Sequence, residues 1–527
     1  MLKFLQRFSA HVIGSLNGLD RIRFRGTKRL LASVAGMIHY LRLQHVLNKD
    51  FTAFASAMTE QLKRGIDEQV KAWGHAIDYL PSSKPSKEDL ALELAKQRGL
   101  KEGLIAVFSC VEPCYSFQMR PNRQEKKLRL HYGPTKCLHY YHYYLDRRFG
   151  LIHTRTQSWL PFTVQVCMNG REWLARQLDD AGIGYLKKDN CFVDIADLPA
   201  AQRLFDEQLR TNWTALLDGL MRQSNPAHDA MLGAWPVPSY WSVEQSEWAS
   251  DVMFRSAADL TALTPRLVRH GLEVCKCVDV LRFLGARRLA ERGRIGHFQG
   301  EVVTDFKQRP EGVRLRFSVN HNSLKIYDKQ GSVLRVETTI NDPHDLKVFR
   351  TKEGDTEGTP QWLPMRRGVA DLHRRTEVSQ KSNERCLDSL AAVAETQPLG
   401  TLTARLSQPA QLAGRRVRAL NPLASDDAAL LETVGRGEFL LNGFRNRDVR
   451  AVLHPGATSA LSATAAETER RRQAAAVTRR LRLLRAHGVI QKVAKTQRYM
   501  VTEYGRQAIA ALAAAKLANV KQLTDAA

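Results

Sequence analysis

The sequence has few cysteines, and their spacing excludes the common zinc motifs. Of the 8 cysteines in 527 residues, Cys110 with Cys114 and Cys275 with Cys277 are the pairs that lie close in sequence. Neither pair has the C-x-x-C spacing of a zinc knuckle. A chain of this length with so few cysteines is also unlike a disulfide-rich secreted scaffold. We therefore expect reduced thiols.

Long apolar segments are missing as well. No run approaches the roughly 20 residues that a transmembrane helix needs. The N-terminal segment 1–26 carries charges throughout and lacks a small-residue cleavage site, so it does not resemble a secretion signal. These absences predict a cytoplasmic protein that does not span a membrane.

Acidic residues are scarce relative to basic ones. The chain has 79 Lys and Arg against 54 Asp and Glu, a formal net charge of +25. A soluble protein with such an excess commonly binds a polyanion, because clustered Lys and Arg release counterions from a phosphate backbone. We therefore predict a nucleic-acid-binding protein. A basic proteome or contact with a membrane surface would be the alternative explanations of the charge.

The overall composition is that of a globular protein. Hydrophobic residues make up 43% of the chain and charged residues 25%, which permits large buried cores. The predicted fold is multidomain α/β (α+β), with a helical N-terminal part, central mixed or antiparallel sheets and a C-terminal winged helix-turn-helix. The predicted regions are 1–100 (helical), 101–225 (α/β), 226–352 (a helix and a hairpin-rich centre), 353–424 (a linker and spacer helix) and 425–527 (a winged-helix DNA-binding domain). Residues 225–245, which contain Pro226, Pro236, Pro238, Trp235 and Trp241, are predicted to be a connector.

The most strand-rich stretch is predicted to contain a β-hairpin. Apolar and β-branched residues alternate with charges along 324–329 and 334–339, on either side of a Gly-containing turn at 330–333. Glu337 shares its strand face with Arg335 and Thr339, because side chains alternate across a strand. The loop length leaves the register open, since a shift of one residue moves a side chain to the other face.

This hairpin resembles a strand pair in rolling-circle replication initiators of small plasmids and filamentous phages. The resemblance lies in Lys325-Ile-Tyr-Asp-Lys329 and Leu334-Arg-Val-Glu337. That family nicks single-stranded DNA with a tyrosine nucleophile and a divalent cation. The resemblance therefore implies Glu337 as a catalytic metal ligand and Tyr327 as the candidate nucleophile. The family's other signature, two histidines separated by one apolar residue, is absent.

The cation implied by this resemblance is Mg²⁺ or Mn²⁺, and both ions prefer carboxylate oxygens. Besides Glu337, the sequence offers Asp305 as a metal ligand, with Glu112 and Asp20 as further carboxylates. The alternative is a structural hairpin in which Glu337 forms a surface pair with a lysine.

Two predicted strands carry polar rows that suit contact with phosphates. Alternation places Arg21, Arg23 and Arg25 on one face of a short strand, and His153, Arg155 and Gln157 on one face of another. The aromatic and histidine run 137–145 between them suits stacking against unpaired bases. His139 and His142 point to opposite strand faces and cannot hold a metal together. The alternative for both rows is a solvated or half-buried sheet.

The C-terminal region resembles winged-helix DNA-binding domains. A helix-turn-helix opening at 439–453 is followed by an Arg-rich helix at 467–487, short strands at 489–493 and 498–502, and a last helix. The whole chain also resembles an uncharacterised bacterial family with a winged-helix tail. In winged-helix domains the recognition helix enters the major groove and the wing contacts phosphates. The resemblance implies DNA contacts by Arg472, Arg479, Arg482, Lys495 and Arg498, to which we add Arg155 from the central sheet.

The leading hypothesis is a DNA-binding protein of a mobile or replicating element. Its winged helix would hold double-stranded DNA, and its central sheet would act on single-stranded or distorted nucleic acid as a metal-dependent nicking endonuclease or replication initiator. One alternative is a non-catalytic winged-helix transcriptional regulator with a ligand-sensing N-terminal part. Another is an RNA-binding protein that uses the aromatic residues of 137–159. Carboxylates clustered with Glu337 near a basic groove would favour the enzyme, whereas an apolar pocket would favour the sensor. The sequence leaves the oligomeric state open.

Overall fold

The structure, a computed structural model, forms two compact units, each assembled from segments that are distant in sequence. Unit 1 comprises Met1–Gly14, Val252–Val336 and Lys381–Ala527, and unit 2 comprises Ser15–Asp251 and Glu337–Gln380. The described residues are 1–233, 237–273, 275–285, 301–309, 312–352, 354, 358–391, 399–455, 462–494 and 496–518.

The strands are numbered in chain order. They are β1 (Val12–Lys28), β2 (Ile77–Tyr79), β3 (Gly103–Asn122), β4 (Lys127–Asp146), β5 (Gly150–Gln157), β6 (Val164–Asn169), β7 (Tyr185–Lys188), β8 (Cys191–Ile195), β9 (Ser239–Phe254), β10 (Val302–Arg309), β11 (Gly312–Val319), β12 (Asn322–Lys329), β13 (Val333–Ile340), β14 (Lys347–Arg350), β15 (Gln361–Pro364), β16 (Ala410–Leu412), β17 (Arg415–Val417), β18 (Ile490–Lys492) and β19 (Tyr499–Val501).

The α-helices are numbered in the same way. They are α1 (Leu2–Arg7), α2 (Val34–Leu43), α3 (Phe51–Ala72), α4 (Lys87–Gln97), α5 (Gly170–Asp180), α6 (Leu198–Glu207), α7 (Trp213–Ser224), α8 (His228–Leu232), α9 (Ala257–Glu273), α10 (Cys277–Phe283), α11 (Leu372–Leu390), α12 (Leu399–Ala404), α13 (Ser425–Val434), α14 (Gly437–Asn442), α15 (Asn446–Leu453), α16 (Ala463–Ala486) and α17 (Glu503–Leu517).

Unit 2 is organised around a large mixed sheet with the strand order β13-β9-β1-β6-β5-β4-β3-β2. The pair β3–β4 is antiparallel over its whole length, from Gly103 opposite Leu145 to Asn122 opposite Lys127. Prolines such as Pro113 and Pro134 are tolerated there, because β2 pairs with β3 and β5 pairs with β4 along other parts of these strands. The predicted α/β character is confirmed.

Two long strands of unit 2 were not expected in full. The sequence predicted a short strand near residues 19–26 within a helical region, and a connector at 225–245, but the structure has β1 and β9 there. Residues 1–100, which were predicted to be helical, contain α1, α2, α3 and α4 but also β1 and β2. Gly18 and Gly26 lie so close to the rings of Phe205 and Trp241 that a Cβ atom would come within 2.2 and 2.5 Å of them. These glycines allow a helix and a neighbouring strand to pack tightly on β1.

Helix α3 packs in unit 2 through an apolar stripe. In α3 the buried residues Phe51, Ala55, Met58, Leu62 and Ile66 recur at intervals of three and four. They belong to one core cluster with residues of β3 and β4. A continuous hydrophobic stripe of this kind stabilises the helix mainly through packing rather than through its intrinsic propensity.

Unit 1 contains β12, the turn of the predicted hairpin and β13 as far as Val336, whereas β13 from Glu337 onward belongs to unit 2. β12 and β13 are neighbouring strands in the order β10-β11-β12-β13, and the turn between them has positive φ angles at Gln330 (59°) and Gly331 (81°). Leu324, Ile326 and Leu334 belong to a core cluster that also contains residues of α9, α10 and α11. The prediction of a hairpin is confirmed.

The C-terminal part of unit 1 has the predicted order of helices and strands. α15 and α16 are followed by the antiparallel pair β18–β19 and by α17. Phe444 also forms a β-bridge with Tyr499. Gly488, with φ of 71°, follows α16, and Thr502 caps α17 by accepting a hydrogen bond from the Gly505 amide. Within the described residues, no helix has the length and apolar character required to cross a membrane.

Candidate metal centre

Three carboxylates converge on one side of the sheet in unit 2. Asp20, Glu247 and Glu337 belong to β1, β9 and β13, which are consecutive in the strand order. One oxygen atom from each carboxylate lies within 4.8 Å of the others. Asp20 and Glu337 are 6% and 2% exposed, whereas Glu247 is half-buried. Adjacent strands are spaced about 4.8 Å apart, so neighbouring strands bring such side chains together without a loop.

The start of α5 places a buried arginine beside Asp20. Gly170 packs so closely on β1 that a Cβ atom would lie 2.1 Å from the carbonyl oxygen of Leu19. Asn169 caps the helix by accepting hydrogen bonds from the amides of Arg171 and Glu172. The Arg171 side chain, fully buried, therefore starts directly beside the strand that carries Asp20.

Arg171 contacts two carboxylates at once. Its Nη2 lies 3.1 Å from Oδ2 of Asp251, and its Nε lies 3.6 Å from Oδ1 of Asp20. Nη2 also donates a hydrogen bond to the carbonyl oxygen of Ala249 at 3.2 Å. The Arg171 guanidinium lies 5.0 Å from the centre of the Phe205 ring. A guanidinium held from several sides keeps its charge at a fixed point next to the carboxylates.

Further hydrogen bonds orient the carboxylates. Asn190 donates from Nδ2 to Oδ1 of Asp20 at 2.7 Å. Thr339, on the same strand as Glu337, donates from Oγ1 to Oε1 of Glu337 at 3.3 Å. Outer contacts of this kind restrict the rotamers of metal-binding side chains.

Arg375 of α11 forms hydrogen bonds to both of the strands that carry Glu247 and Glu337. It donates hydrogen bonds from Nε to Oγ of Ser246 at 2.8 Å, from Nη1 to the carbonyl oxygen of Val243 at 2.8 Å, and from Nη2 to the carbonyl oxygen of Ile340. Burial, together with the nearby charge of Arg367, lowers the pKa of Arg375 to about 9. One buried side chain thus links β9 to β13 next to the site.

The donor set determines the chemistry that the cluster suits. Carboxylate oxygens are the ligands that Mg²⁺, Mn²⁺ and Ca²⁺ prefer. A divalent cation between Asp20, Glu247 and Glu337 would offset the mutual repulsion of their charges. Glu247 is the most exposed of the three.

The predicted metal and catalytic residues do not all belong to the carboxylate cluster. Glu337 joins the cluster, and the alternative of a surface Glu–Lys pair is wrong because Glu337 is 2% exposed. Tyr327, on β12, and Asp305, opposite Arg316 in the β10–β11 pair, both belong to unit 1 and not to this cluster. Asp20, named as a further carboxylate, is a member.

Glu247 was missed because its strand was missed. Residues 225–245 contain prolines and tryptophans that suggested a connector, yet Trp241 and Val243 are buried at alternate positions, as in a strand. Extending that alternation would have predicted β9. Glu247 lies close to Asp20 and Glu337 because β9 lies between β1 and β13 in the sheet, and this strand order cannot be predicted from the sequence pattern.

The structure places the two polar rows of the central strands on the same face of the sheet, whereas the alternation predicted only that each row lies on one face of its own strand. Arg23 is opposite Cys167 on β6, which is in turn opposite His153 on β5. The guanidinium of Arg155 is engaged there: it lies 3.0 Å from a carboxylate oxygen of Glu112 and donates to Gln165 at 2.9 Å. The side chain of Arg155 is 20% exposed. Arg155 is therefore part of a largely buried polar network with Glu112 and Gln165.

The predicted DNA-contacting residues of the tail lie mostly on α16. Arg472, Arg479 and Arg482 are exposed, and Arg472 pairs with Glu469 at 2.8 Å. Arg498, on the loop before β19, donates from Nη1 to the carbonyl oxygen of Asn442. Lys495 lies outside the described residues.

Comparisons with known proteins leave the chain without relatives that inform its function. No family model matches it. No curated protein matches it either. A solved structure, the di-domain ARO/CYC BexL from the BE-7585A biosynthetic pathway, shows 13% identity and a TM-score of 0.13 over 59% of this chain and 94% of that chain. Similarity at this level carries no argument about fold or function.

Proposed function

We propose that this protein binds nucleic acid and cleaves a phosphodiester with a divalent cation held by Asp20, Glu247 and Glu337. The observation that carries the proposal is the convergence of three carboxylates, with oxygen atoms within 4.8 Å of one another, from three neighbouring strands. A metal in such a site polarises a phosphate oxygen and lowers the pKa of a bound water. The excess of basic residues, with a net charge of +25, supports a polyanionic substrate.

The attacking group follows from which residues the cluster contains. The resemblance to rolling-circle initiators suggested Tyr327, on β12, as the nucleophile, whereas the cluster of ligand oxygens comes from Asp20, Glu247 and Glu337. A carboxylate cluster supports hydrolysis by a metal-activated water, for which no tyrosine is required. We therefore propose hydrolysis, with covalent attack by Tyr327 as the competing mechanism.

We further propose that residues 425–518 are a winged-helix domain that binds double-stranded DNA. The order of α13 to α17, the β18–β19 pair and the bridge between Phe444 and Tyr499 support this proposal. Among the described residues, neither an ion pair nor a hydrogen bond engages the exposed side chains of Arg479 and Arg482 on α16. In this class such a helix enters the major groove. A role in a mobile or replicating element rests on the resemblance of the hairpin.

The alternative of a non-catalytic regulator predicted an apolar ligand pocket. Unit 2 contains a cleft of about 1090 Å³ whose lining mixes charged residues, such as Arg21 and Lys187, with apolar ones, such as Leu92, Leu151 and Ile183. A mixed lining of this kind does not select an apolar ligand. The nuclease proposal is preferred because the carboxylate cluster supports it directly.

The test is a cleavage assay on labelled single-stranded and double-stranded DNA and RNA, with Mg²⁺, Mn²⁺ or EDTA. We expect cleavage that requires metal and is lost in Glu247→Gln and Glu337→Gln, because each amide removes a charge without changing the side-chain volume. Glu68→Gln, an exposed change on α3, is the matched control. Cleavage that persists in both site variants would contradict the proposal. A covalent protein–DNA adduct that is lost in Tyr327→Phe would show that Tyr327, rather than a metal-activated water, is the nucleophile.

A further inference from the structure

A second group of ligand-type side chains lies on the β3–β4 pair of unit 2. Sγ of Cys114 is 3.4 Å from Sγ of Cys137, and Sγ of Cys137 is 4.0 Å from Nε2 of His139. All three atoms lie within 4.8 Å of one another. Neither thiol is part of a disulfide. This group contains no carboxylate and shares no residue with Asp20, Glu247 and Glu337.

The pleat of the two strands explains how the group assembles. Cys137 is opposite Glu112, and Cys114 is opposite Thr135, so the two cysteines are diagonal neighbours across the strand pair. His139 follows Cys137 by two residues and therefore points to the same side of the sheet. The spacing Cys-x-His on a strand thus has the same effect as the i, i+4 spacing of ligands on a helix.

The imidazole of His139 has its free nitrogen on the side of the thiols. Nδ1 lies 3.1 Å from the carbonyl oxygen of Cys137. Because a carbonyl oxygen can only accept, Nδ1 carries the proton and Nε2 keeps its lone pair. A hydrogen bond from one ring nitrogen to a backbone carbonyl is the usual way in which a protein orients a metal-binding histidine.

The distance between the two sulfur atoms is closer to the separation of two thiolate ligands on a tetrahedral ion than to the length of a disulfide bond. A disulfide would need a sulfur–sulfur distance of about 2.05 Å. Two thiolates on a tetrahedral zinc ion, with bonds of about 2.3 Å, are about 3.8 Å apart. The observed 3.4 Å is within a few tenths of an ångström of that separation. Both cysteines are half-buried, which leaves the group accessible to an ion.

We propose that Cys114, Cys137 and His139 bind a zinc-class divalent cation, with the fourth position occupied by water or by a bound ligand. Two sulfurs and one imidazole nitrogen select zinc over Mg²⁺, which prefers oxygen. Three protein ligands and one open position are typical of zinc sites that act on a ligand, whereas structural zinc sites commonly have four protein ligands. This inference is independent of the proposed nuclease centre.

The test uses the full-length protein, reduced and freed of metal by a chelator, titrated with Co²⁺. We expect one equivalent to bind and to give the thiolate-to-cobalt charge-transfer band, and Zn²⁺ to displace it. Cys114→Ser and Cys137→Ser should lose the band, and His139→Gln should lower the affinity for Co²⁺ by more than about 100-fold, the upper range for outer contacts of a metal site. Cys167→Ser, which changes another half-buried thiol on the same sheet, is the matched control.

Two results would overturn the inference. One is a wild-type protein that gives no charge-transfer band under reducing conditions, a measurement that does not depend on any variant folding. The other is a band that persists in Cys114→Ser. Glu337→Gln should leave the band unchanged, so the failure of this site and the failure of the carboxylate centre are distinguishable. A mass lower by two hydrogens in reducing buffer, with no cobalt bound, would assign the two cysteines to a disulfide instead.

Discussion

Arg171 and Asp251 form an ion pair at 3.1 Å in which both side chains are completely buried. The same guanidinium lies 3.6 Å from Asp20, a member of the carboxylate cluster. Two buried carboxylates therefore share one arginine. Removing one partner of such a group leaves the others as uncompensated charges in a medium of low dielectric constant.

We expect Arg171→Met to destabilise the protein by about 3–5 kcal/mol, the usual cost of breaking a buried ion pair. Urea denaturation followed by tryptophan fluorescence would measure the loss. Lys71→Met, which breaks an exposed pair with Asp67, is the control and should leave the transition unchanged.

The double variant Arg171→Met with Asp251→Asn separates the loss of charge from the loss of packing. If the penalty arises from an unpaired carboxylate, neutralising Asp251 should restore part of the stability of Arg171→Met. A double variant as unstable as the sum of both single variants would contradict the electrostatic explanation.

Metal binding at the carboxylate cluster should stabilise the folded state. A ligand that binds the native state alone at 100 times its dissociation constant adds about 2.7 kcal/mol to the free energy of unfolding. We expect Mn²⁺ to raise the melting temperature of the wild type and to have little effect on Glu247→Gln. Glu68→Gln should respond like the wild type. An equal shift in all three proteins would show that Mn²⁺ binds elsewhere.

Arg479 and Arg482 should contribute to duplex binding through α16. If Arg482 contacts a base, Arg482→Ala should weaken binding by about 1–3 kcal/mol and relax the preference at that base; if it contacts a phosphate, the salt dependence of binding should fall by about one ion. Fluorescence anisotropy with duplex DNA at several salt concentrations distinguishes the two. Arg64→Ala, an exposed change on α3, is the control. Unchanged affinity in Arg479→Ala and Arg482→Ala would remove this face from the interface.

Asp279 should make unit 1 less stable as the pH rises. Burial raises its pKa to about 6, with Glu438 in the same direction and the Lys276 amide, Arg282 and Arg436 opposing. The pKa of an unfolded aspartate is about 3.9. The folded state therefore holds a proton that the unfolded state loses, so stability falls as the pH rises from about 4 to 6 and the loss is complete above it.

Asp279→Asn removes this titration and keeps an oxygen that can accept the Lys276 amide hydrogen bond. Relative to the wild type, the variant should gain up to about 3 kcal/mol between pH 4 and pH 7, since one pKa unit corresponds to about 1.4 kcal/mol. Melting temperatures of both proteins across that range would measure the difference. A constant difference at every pH would show that Asp279 does not titrate there.

Local patterns predicted the elements better than they predicted the site. The hairpin of β12 and β13 and the order from α15 to α17 follow from turn residues and periodicity, which act over a few positions. Glu337 was predicted as a metal ligand from the resemblance of the hairpin to rolling-circle initiators. Its partner Glu247 was not predicted, because it lies in β9, and the prolines and tryptophans at the start of that strand had suggested a connector. Sequence spacing cannot state which strands become neighbours.

The same limit applies to the thiol group. Cys137 and His139 are two residues apart, a spacing that a strand converts into a shared face. Cys114 joins them through the register in which Cys137 is opposite Glu112. The cysteine spacings of the sequence were compared only with the C-x-x-C spacing of zinc knuckles. That comparison could not predict the group of Cys114, Cys137 and His139, because its geometry depends on how β3 and β4 pair.

The strand order β13-β9-β1 has a consequence for how the protein matures. Asp20 is made early in synthesis, yet Glu337 follows more than three hundred residues later, after the strand that carries Glu247. A ribosome must complete β13 before the three carboxylates can meet, so a truncated chain that ends before that strand carries no complete centre. Long-range pairing of this kind also slows folding. Only chains that have been synthesised beyond β13 and have assembled this sheet would therefore be able to bind a metal through all three carboxylates.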